Sequence, residues 1–285
     1  MEAAKPSRTA YGVAFRRATH QLHDHPPLIL NDPIAVPILG PSALPELHAA
    51  KSAIDEPANI ALRGWLVARS RYAEENLAQA VAEGVNQYVL LGAGLDTFAH
   101  RNPHPGLRVF EVDHPATQQW KRNLVAASLS HPPSLTYAPV NFESESLPEK
   151  LAEVGFDPNA PAFFAWLGVV PYLTLPAFRS TLAFIAARPT GSGLVFDYGQ
   201  PMSALPLRER IGRQIFLDRV ASIGEPMHLF FTPAEVAREL TAFFNLEDLG
   251  TDDLNSRYFA NRPEVKGRSR LQLFGQSGRL LSAWL

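Results

Sequence analysis

Short, nearly continuous apolar runs recur along the chain, and helix-like stretches flank them. The runs that predict strands cover residues 87–91, 107–112, 135–140, 162–167 and 193–198. Because apolar residues do not alternate with polar ones, both faces of each strand are expected to be buried, as in a parallel sheet covered by helices. Helical periodicity extends over 64–83, 115–129, 146–154 and 175–188. This βαβα order predicts an α/β fold with a doubly wound sheet.

The segments outside this central part predict additional helices. The first strand begins only near residue 87, so the segment before it is expected to pack as helices over the sheet. A helix over 204–223 would form a lid. It carries an apolar stripe of Leu207, Ile211 and Ile215, with Phe216, Val220 and Ile223 beside it. It also carries four arginines, Arg208, Arg210, Arg213 and Arg219. The arginines could clamp an anionic substrate or form a solvated face opposite a packed stripe, and the second interpretation is favoured. A further helix is predicted over 232–245, where Thr232 can cap it.

These expectations give one domain over residues 1–285. It consists of an N-terminal helical cover (1–84), a cofactor-binding half (85–200), a lid (201–232) and the C-terminal part of the sheet (233–285). The prolines fall in clusters between the periodic segments, as expected for loops of a folded domain.

Composition narrows the possible partners and chemistry. Apolar residues make up 46% of the chain, which is too many for a disordered protein. Lysine and arginine total 26 against 28 acidic residues, so no overall basic field favours nucleic acid or an anionic membrane. The absence of cysteine excludes disulfides and thiolate chemistry. Without an apolar run long enough for a membrane helix or a signal core, we predict a soluble, cytoplasmic protein.

A glycine turn directly after the first predicted strand is the most informative motif. Gly92 and Gly94 let the backbone approach a ligand, and Asp113 follows at the end of the second predicted strand. A carboxylate at that position can accept hydrogen bonds from both ribose hydroxyls. In the fingerprint for NAD a third glycine would stand at position 97, where this chain has Thr97. The pattern therefore favours S-adenosylmethionine, which has no pyrophosphate, over a nicotinamide cofactor.

Several segments together resemble the leucine carboxyl methyltransferase family of class I S-adenosylmethionine-dependent methyltransferases, in its bacterial small-molecule and polyketide O-methyltransferase branch. The segments that carry the resemblance are Ser7-Arg8-Thr9-Ala10, Arg17-Ala18, Asn31-Asp32-Pro33-Ile34-Ala35, Ala68-Arg69-Ser70-Arg71-Tyr72, Leu91-Gly92-Ala93-Gly94-Leu95-Asp96-Thr97, Glu111-Val112-Asp113-His114-Pro115, Val140-Asn141-Phe142, Trp166-Leu167-Gly168-Val169-Val170-Pro171-Tyr172-Leu173 and Leu254-Asn255-Ser256-Arg257-Tyr258-Phe259. The resemblance implies a Rossmann-like, mostly parallel, seven-stranded sheet.

The resemblance also implies roles for individual residues in cofactor binding. Arg69 resembles the arginine that binds the methionine carboxylate, and Arg8 aligns loosely with a basic residue that approaches the same group. Gly92 and Gly94 would form the cofactor turn, and Asp113 would bind the ribose. Asn141-Phe142 stands where the family has Asp-Leu beside the adenine, and Leu167 replaces a frequent glutamate.

Candidate catalytic groups follow from the type of acceptor. A carboxylate is ionised at neutral pH and needs no general base, so alignment in a dry pocket would suffice. Tyr172 would line the site near the methyl group or pack against the next helix. For a hydroxyl acceptor, Tyr11 or a histidine could serve as the base. The histidine candidates are His20, His23, His25 and His114. A metal site at the first three is disfavoured because the segment is flanked by proline, and no metal is predicted.

The sequence thus predicts an S-adenosylmethionine-dependent O-methyltransferase that acts on a small-molecule carboxylic acid or hydroxyl compound. Two alternatives share the strand, the glycine turn and the acid: an NAD-dependent oxidoreductase, and a non-catalytic protein that retains the cofactor fold.

Overall fold

The computed structural model describes residues 7–142, 144–263, 266 and 269–285. Within these residues the chain forms seven strands: β1 Gln87–Leu91, β2 Arg108–Asp113, β3 Leu135–Pro139, β4 Phe163–Trp166, β5 Gly193–Gly199, β6 Phe244–Leu249 and β7 Gly278–Trp284. They lie side by side in the order β3-β2-β1-β4-β5-β7-β6. Strands β1 to β5 are parallel, and β7 is antiparallel to both of its neighbours. The predicted α/β fold with a mostly parallel seven-stranded sheet is confirmed.

Helices surround the sheet on both faces. In the described residues they are α1 Arg8–His23, α2 Leu44–Ala49, α3 Pro57–Ala82, α4 Pro115–Ser128, α5 Leu147–Glu153, α6 Leu175–Ala186, α7 Leu207–Ser222, α8 Pro233–Glu239 and α9 Thr251–Leu254. Hydroxyl side chains start several of them, because a side-chain oxygen can accept from a backbone N–H that has no partner in the first turn. Ser7 caps α1 in this way, and Thr232 forms a complete capping box with Glu235 on α8.

The core has one layer on each face of the sheet and a smaller cluster beneath the N-terminal helices. One layer packs α3 against the sheet around Tyr72 and Tyr88, and the other surrounds Phe110 and Trp166. Both faces of β1 and β5 are buried, which explains their continuous apolar sequences. Helices α1 and α2 form the third cluster, around Ala14 and Leu47.

One predicted helix is shorter in the structure. The helix predicted over 232–245 ends at Glu239, and Phe244 already belongs to β6. Most side chains of β6 are exposed at the sheet edge, so its sequence lacks the continuous apolar character that marks the inner strands. The bounds of the cover, cofactor-binding half and lid stay predictions, and residues 1–6 of the predicted cover lie outside the described chain.

The lid helix also differs from the favoured interpretation. Leu207, Ile211 and Ile215 are 77%, 72% and 64% exposed, so this stripe faces solvent and is not packed. Val220 is buried on the same helix, whereas Arg208 and Arg219 are exposed. Periodicity identified the helix correctly, but only the part of its apolar face that contains Phe216, Val220 and Ile223 is packed.

Candidate active site

The glycine turn after β1 and the acid at the end of β2 meet at the carboxyl edge of the sheet. The backbone N–H of Gly94 donates to Asp113 Oδ2, and the N–H of His114 donates to Oδ1 at 2.6 Å. Gly92 has a φ of 70°, and a Cβ there would overlap the Val169 side chain. Burial raises the pKa of Asp113 to about 6, although both N–H groups favour the ionised form. The turn therefore holds this carboxylate in one orientation at the sheet edge.

A network of paired charges lies beneath the glycine turn. Lys121 Nζ lies 2.6 Å from Glu111 Oε2 and donates to the carbonyl of Asp96 at the same distance. Arg17 contacts the Asp96 carboxylate at 3.4 Å and donates to the Leu95 carbonyl. Burial raises the pKa of Glu111 to about 7, even with Lys121 beside it. These contacts anchor the backbone of the turn from below.

Asp32 and Arg101 extend this network to Thr97 and to Glu74 on α3. Asp32 accepts from the Thr97 hydroxyl at 2.7 Å, and Arg101 forms a double contact with Glu74. Thr97, which stands where a third glycine would mark an NAD site, is thus a buried structural residue.

Arg69 reaches the cavity from α3 and is held at the ends of β4 and β5. Its Nη1 lies 2.8 Å from Asp197 Oδ2, and the N–H of Gly168 donates to the other oxygen of Asp197. Gly168 has a φ of 73°, and a Cβ at this position would lie 2.8 Å from both terminal nitrogens of Arg69. Glycine is therefore required here for backbone conformation and for space.

Gly92, Gly94, Asp113, Arg69 and Gly168 line one cavity of about 400 Å³, a volume typical of small-molecule sites. Asn141, Phe142 and Leu167 form part of its wall. Phe142 also packs against the core layer around Phe110. The backbone N–H of Asn141 donates to Glu145 Oε2 at 2.8 Å.

Tyr172 lines the opposite part of the cavity, after β4. Its hydroxyl contacts that of Thr9, and burial raises the pKa of Tyr172 to about 12. His114 and His228 also line the cavity. His228 is exposed at the mouth, and its backbone N–H donates to the Pro171 carbonyl at 2.7 Å.

Glu225, in the loop after α7, joins this loop to the start of α1. Its carboxylate accepts from the backbone N–H of Arg8 at 2.7 Å, from the N–H and hydroxyl of Thr9, and from the Ser7 hydroxyl at 3.3 Å. It thus satisfies N–H groups of the first helical turn, which have no intrahelical partner. We call this contact between Glu225 and residues 7–9 the clasp.

Two residues singled out in the sequence do not line the cavity. The Arg8 side chain is exposed, and only its backbone N–H takes part in the clasp. The Tyr11 hydroxyl points to Glu46 at 3.4 Å. The other candidates, Arg69, Gly92, Gly94, Asp113, Asn141, Phe142 and Tyr172, all line the cavity.

The N-terminal histidines have structural contacts. His20 Nδ1 lies 2.7 Å from Asp24, which Arg63 also binds, and His23 Nε2 lies 2.9 Å from the Leu47 carbonyl. Among the described residues, no group of three or more histidine or acidic side chains could hold a metal ion. Nor does any helix in this part of the chain have the length and apolarity needed to cross a membrane.

Sequence reasoning missed Asp197, Glu225 and His228. Asp197 is separated from Arg69 by 128 residues and Glu225 from Arg8 by 217. Asp197 did leave a signal, since it is an acid inside an otherwise apolar strand. Glu225 and His228 lie in irregular loops, where periodicity gives no information.

The sheet order, the glycine turn and the acid after β2 define a Rossmann-like protein of the methyltransferase type. The structure is similar to the crystal structure of a candidate methyltransferase from Thermobifida fusca YX, with a TM-score of 0.59 at 18% identity over 99% of this chain and 96% of that one. It is also similar to a DUF574 family protein from Streptomyces avermitilis MA-4680, with a TM-score of 0.57 at 15% identity over 96% of each chain.

The sequence comparisons identify the family. The model of the leucine carboxyl methyltransferase family matches residues 10–186. A protein of Bacillus subtilis (strain 168), YktD, named as a candidate S-adenosyl-L-methionine-dependent methyltransferase, is 34% identical over 93% of this chain and 95% of its own length. A protein of the same description from Mycobacterium sp. (strain JLS) is 36% identical over 59% of this chain and 66% of its own length.

The chain belongs to the leucine carboxyl methyltransferase family and is an S-adenosylmethionine-dependent methyltransferase. The predicted family, the cofactor and the class of S-adenosylmethionine-dependent methyltransferase are confirmed, and the nicotinamide and non-catalytic alternatives are set aside. Transfer to an oxygen atom stays a prediction.

Proposed function

We propose that this methyltransferase transfers the methyl group to a carboxylate oxygen of a small molecule. The observation that carries the proposal is that the acids and bases of the cavity, apart from His228, are already engaged within the protein. An acceptor that is ionised at neutral pH needs no base, whereas a hydroxyl acceptor does.

Each candidate base has a contact that limits its availability. Asp113 accepts from two backbone N–H groups, and Glu225 is occupied by the clasp. His114 Nδ1 accepts from the N–H of Ala116 at 3.2 Å and caps α4. Tyr172, with its pKa raised to about 12 by burial, stays protonated at neutral pH. The cavity is thus better suited to align an ionised acceptor than to deprotonate a neutral one.

The cavity residues also suit the cofactor. At Gly92 and Gly94 the cavity wall is backbone without a side chain. The Asp113 carboxylate can accept hydrogen bonds from ribose hydroxyls. We assign Asn141 and Phe142, which line the cavity, to the adenine, and Arg69, oriented by Asp197, to the methionine carboxylate. When bound, S-adenosylmethionine supplies an activated methyl group on its sulfonium. The protein's part is to orient both reactants and to exclude water.

One observation favours a second candidate, transfer to a hydroxyl group. His228 is exposed at the cavity mouth, and a neutral imidazole there could accept a proton from an acceptor hydroxyl.

Product chemistry and pH dependence distinguish the two candidates. The purified protein would be incubated with methyl-labelled S-adenosylmethionine and a library of small carboxylic acids, each paired with the corresponding alcohol. Methyl esters release labelled methanol in alkali, whereas methyl ethers do not. For a carboxylate acceptor we expect esters, and a rate that changes little between about pH 6 and 8.

Ether products that are formed by the wild-type protein and lost in His228→Gln would instead support the hydroxyl candidate. Calorimetric titration with S-adenosylhomocysteine provides the control for the cofactor site, and the absence of binding at tens of micromolar would contradict the residue assignments.

A further inference from the structure

Arg213, on the inner side of α7, is placed against the carboxyl end of β5. A Cβ on Gly199, the last residue of β5, would lie 2.7 Å from Arg213 Nη2, so the guanidinium packs directly on bare backbone. Its Cζ lies 5.5 Å from the ring centroids of both Phe216 and Phe230. The three contacts hold the guanidinium at the edge of the sheet that carries the cavity.

Arg213 differs from the arginines that line the cavity because it has no acid partner within the described part of the chain. Arg17 is paired with Asp96, and Arg69 with Asp197. Burial lowers the pKa of Arg213, and Tyr172 is the group whose charge would oppose that effect. A partly buried cation without a counter-charge destabilises the fold unless a ligand supplies one.

The position of Arg213 relative to the cofactor groups indicates which ligand that is. The glycine turn and Asp113 follow β1 and β2, whereas Tyr172 follows β4 and Gly199 ends β5. Since β4 and β5 are neighbours, Arg213 lies next to the Tyr172 side of the cavity, just outside the residues that line it and away from Asp113. Open α/β sheets bind their ligands at these carboxyl ends, so this side is left for the acceptor.

We propose that Arg213 binds the carboxylate of the methyl acceptor, so that the lid helix selects acids over their neutral analogues. The proposal rests on the proposed function, because it assigns the acceptor side of the same site. A guanidinium suits this task because its planar fork presents donors in a fixed geometry, and the two phenylalanine rings keep it in place.

The transfer balances without a further reactant. One carboxylate oxygen accepts from Arg213, and the other attacks the methyl carbon. A carbon–oxygen bond forms as the carbon–sulfur bond breaks, and its electron pair stays on sulfur. The products are a neutral methyl ester and S-adenosylhomocysteine, and no proton is released.

The first test uses an acid from the library that the wild-type protein converts to an ester. For Arg213→Ala we expect KM for this acid to rise about 10- to 100-fold, the loss that a charge-assisted hydrogen bond predicts. The Kd of S-adenosylhomocysteine should not change. Arg213→Lys should restore part of the loss, because it keeps the charge but not the fork. Arg208→Ala, an exposed arginine on the same helix, is the matched control and should behave as wild type.

Selectivity gives a readout that a structural role would not change. The wild-type enzyme should bind the acid more tightly than the corresponding amide, and this preference should disappear in Arg213→Ala. If wild type forms the ester and the variant keeps both its KM and its preference, the proposal for Arg213 is wrong while the proposed function stands. If wild type forms no ester from any acid of the library, the proposed function itself fails.

A second test needs no substrate. If the charge of Arg213 is compensated only when a ligand binds, Arg213→Met should leave the free energy of unfolding unchanged or raise it. Arg63→Met, which removes the guanidinium bound to Asp24, should lower the free energy of unfolding and serves as the contrast. A drop for Arg213→Met as large as that for Arg63→Met would assign Arg213 to the fold and contradict its role in binding.

Discussion

The cofactor turn and helix α7, which lies beside the cavity, are built differently. Beneath the cofactor turn, Arg17, Lys121 and Arg101 each contact an acid or a backbone carbonyl. On the lid, Arg213 has no acid partner among the described residues, and the stripe that contains Ile211 faces solvent. The cofactor side is completed by the protein itself, whereas the lid side is left for other molecules to complete.

The difference follows from what each side has to do. The cofactor is the same in every reaction cycle, so contacts within the protein can hold the groups that bind it in position before it arrives. The acceptor side has to admit and release a small molecule, and sparse contacts make such motion less costly. Each change below tests one part of this contrast, and the largest expected effect comes first.

The buried pair of Lys121 and Glu111 should give the largest loss of stability. Lys121→Met leaves the Glu111 carboxylate buried without its partner, which should lower the free energy of unfolding by about 3–5 kcal/mol, measured by urea denaturation. Replacing both residues, with Glu111→Leu added, should recover most of the loss. A cost below about 1 kcal/mol for Lys121→Met would show that this charge does not support the turn.

Gly168→Ala should act on the cofactor site through Arg69. The added Cβ lies 2.8 Å from the guanidinium nitrogens and stands on a backbone with positive φ, so Arg69 has to move. We expect S-adenosylhomocysteine to bind about 10- to 100-fold more weakly in calorimetry, the effect of losing a hydrogen bond to a charged group. Gly212→Ala, on the exposed part of α7 where no atom lies within 4 Å of the added Cβ, should bind as wild type does.

The affinity for S-adenosylhomocysteine should depend on pH through Asp113. The ionised carboxylate is the stronger acceptor for ribose hydroxyls, and burial places the pKa of Asp113 at about 6 in the free protein. Affinity should therefore be constant well above pH 6 and fall as the pH decreases below it, because protonation then competes with binding. In Asp113→Asn this dependence should vanish and the affinity should be lower throughout, and a wild-type profile without a slope would remove Asp113 from the ribose position.

The apolar stripe of the lid should give the smallest effect. Ile211→Ser should change the free energy of unfolding by no more than about 0.5 kcal/mol, since this side chain is exposed. Val220→Ala, on the buried side of the same helix, should cost about 1.5 kcal/mol. If the two changes cost the same, the stripe is covered in solution and the contrast between the two sides has to be revised.

Sequence patterns predicted the central sheet because burial on both faces leaves a continuous signal. The predicted limits of the first five strands differ from the structure by at most one residue. The edge strand β6 gave no such signal, and the helix prediction ran over its start at Phe244. On α7 the period revealed the helix but not which stripe is buried, because a helix that covers a site has polar groups such as Arg213 on its inner side.

The site was predictable where its residues are close to a motif in the chain. Gly92, Gly94 and Asp113 belong to one strand–turn–strand pattern, and the structure places all three at the cavity. Asp197, which orients Arg69, pairs with it across 128 residues, and no local pattern reports such a contact. The family resemblance narrowed the choice of cofactor but carried no information on Arg213. The proposed role of Arg213 depends on its having no acid partner among the described residues, which only the three-dimensional structure shows.

The clasp has a consequence for the order of events in a catalytic cycle. A single carboxylate, that of Glu225, satisfies N–H groups at the start of α1 and also holds the end of the lid loop. Neither segment can open alone without leaving those groups unpaired. We therefore expect the two segments to open together, so that release of the methylated product and exchange of the spent cofactor share one slow step.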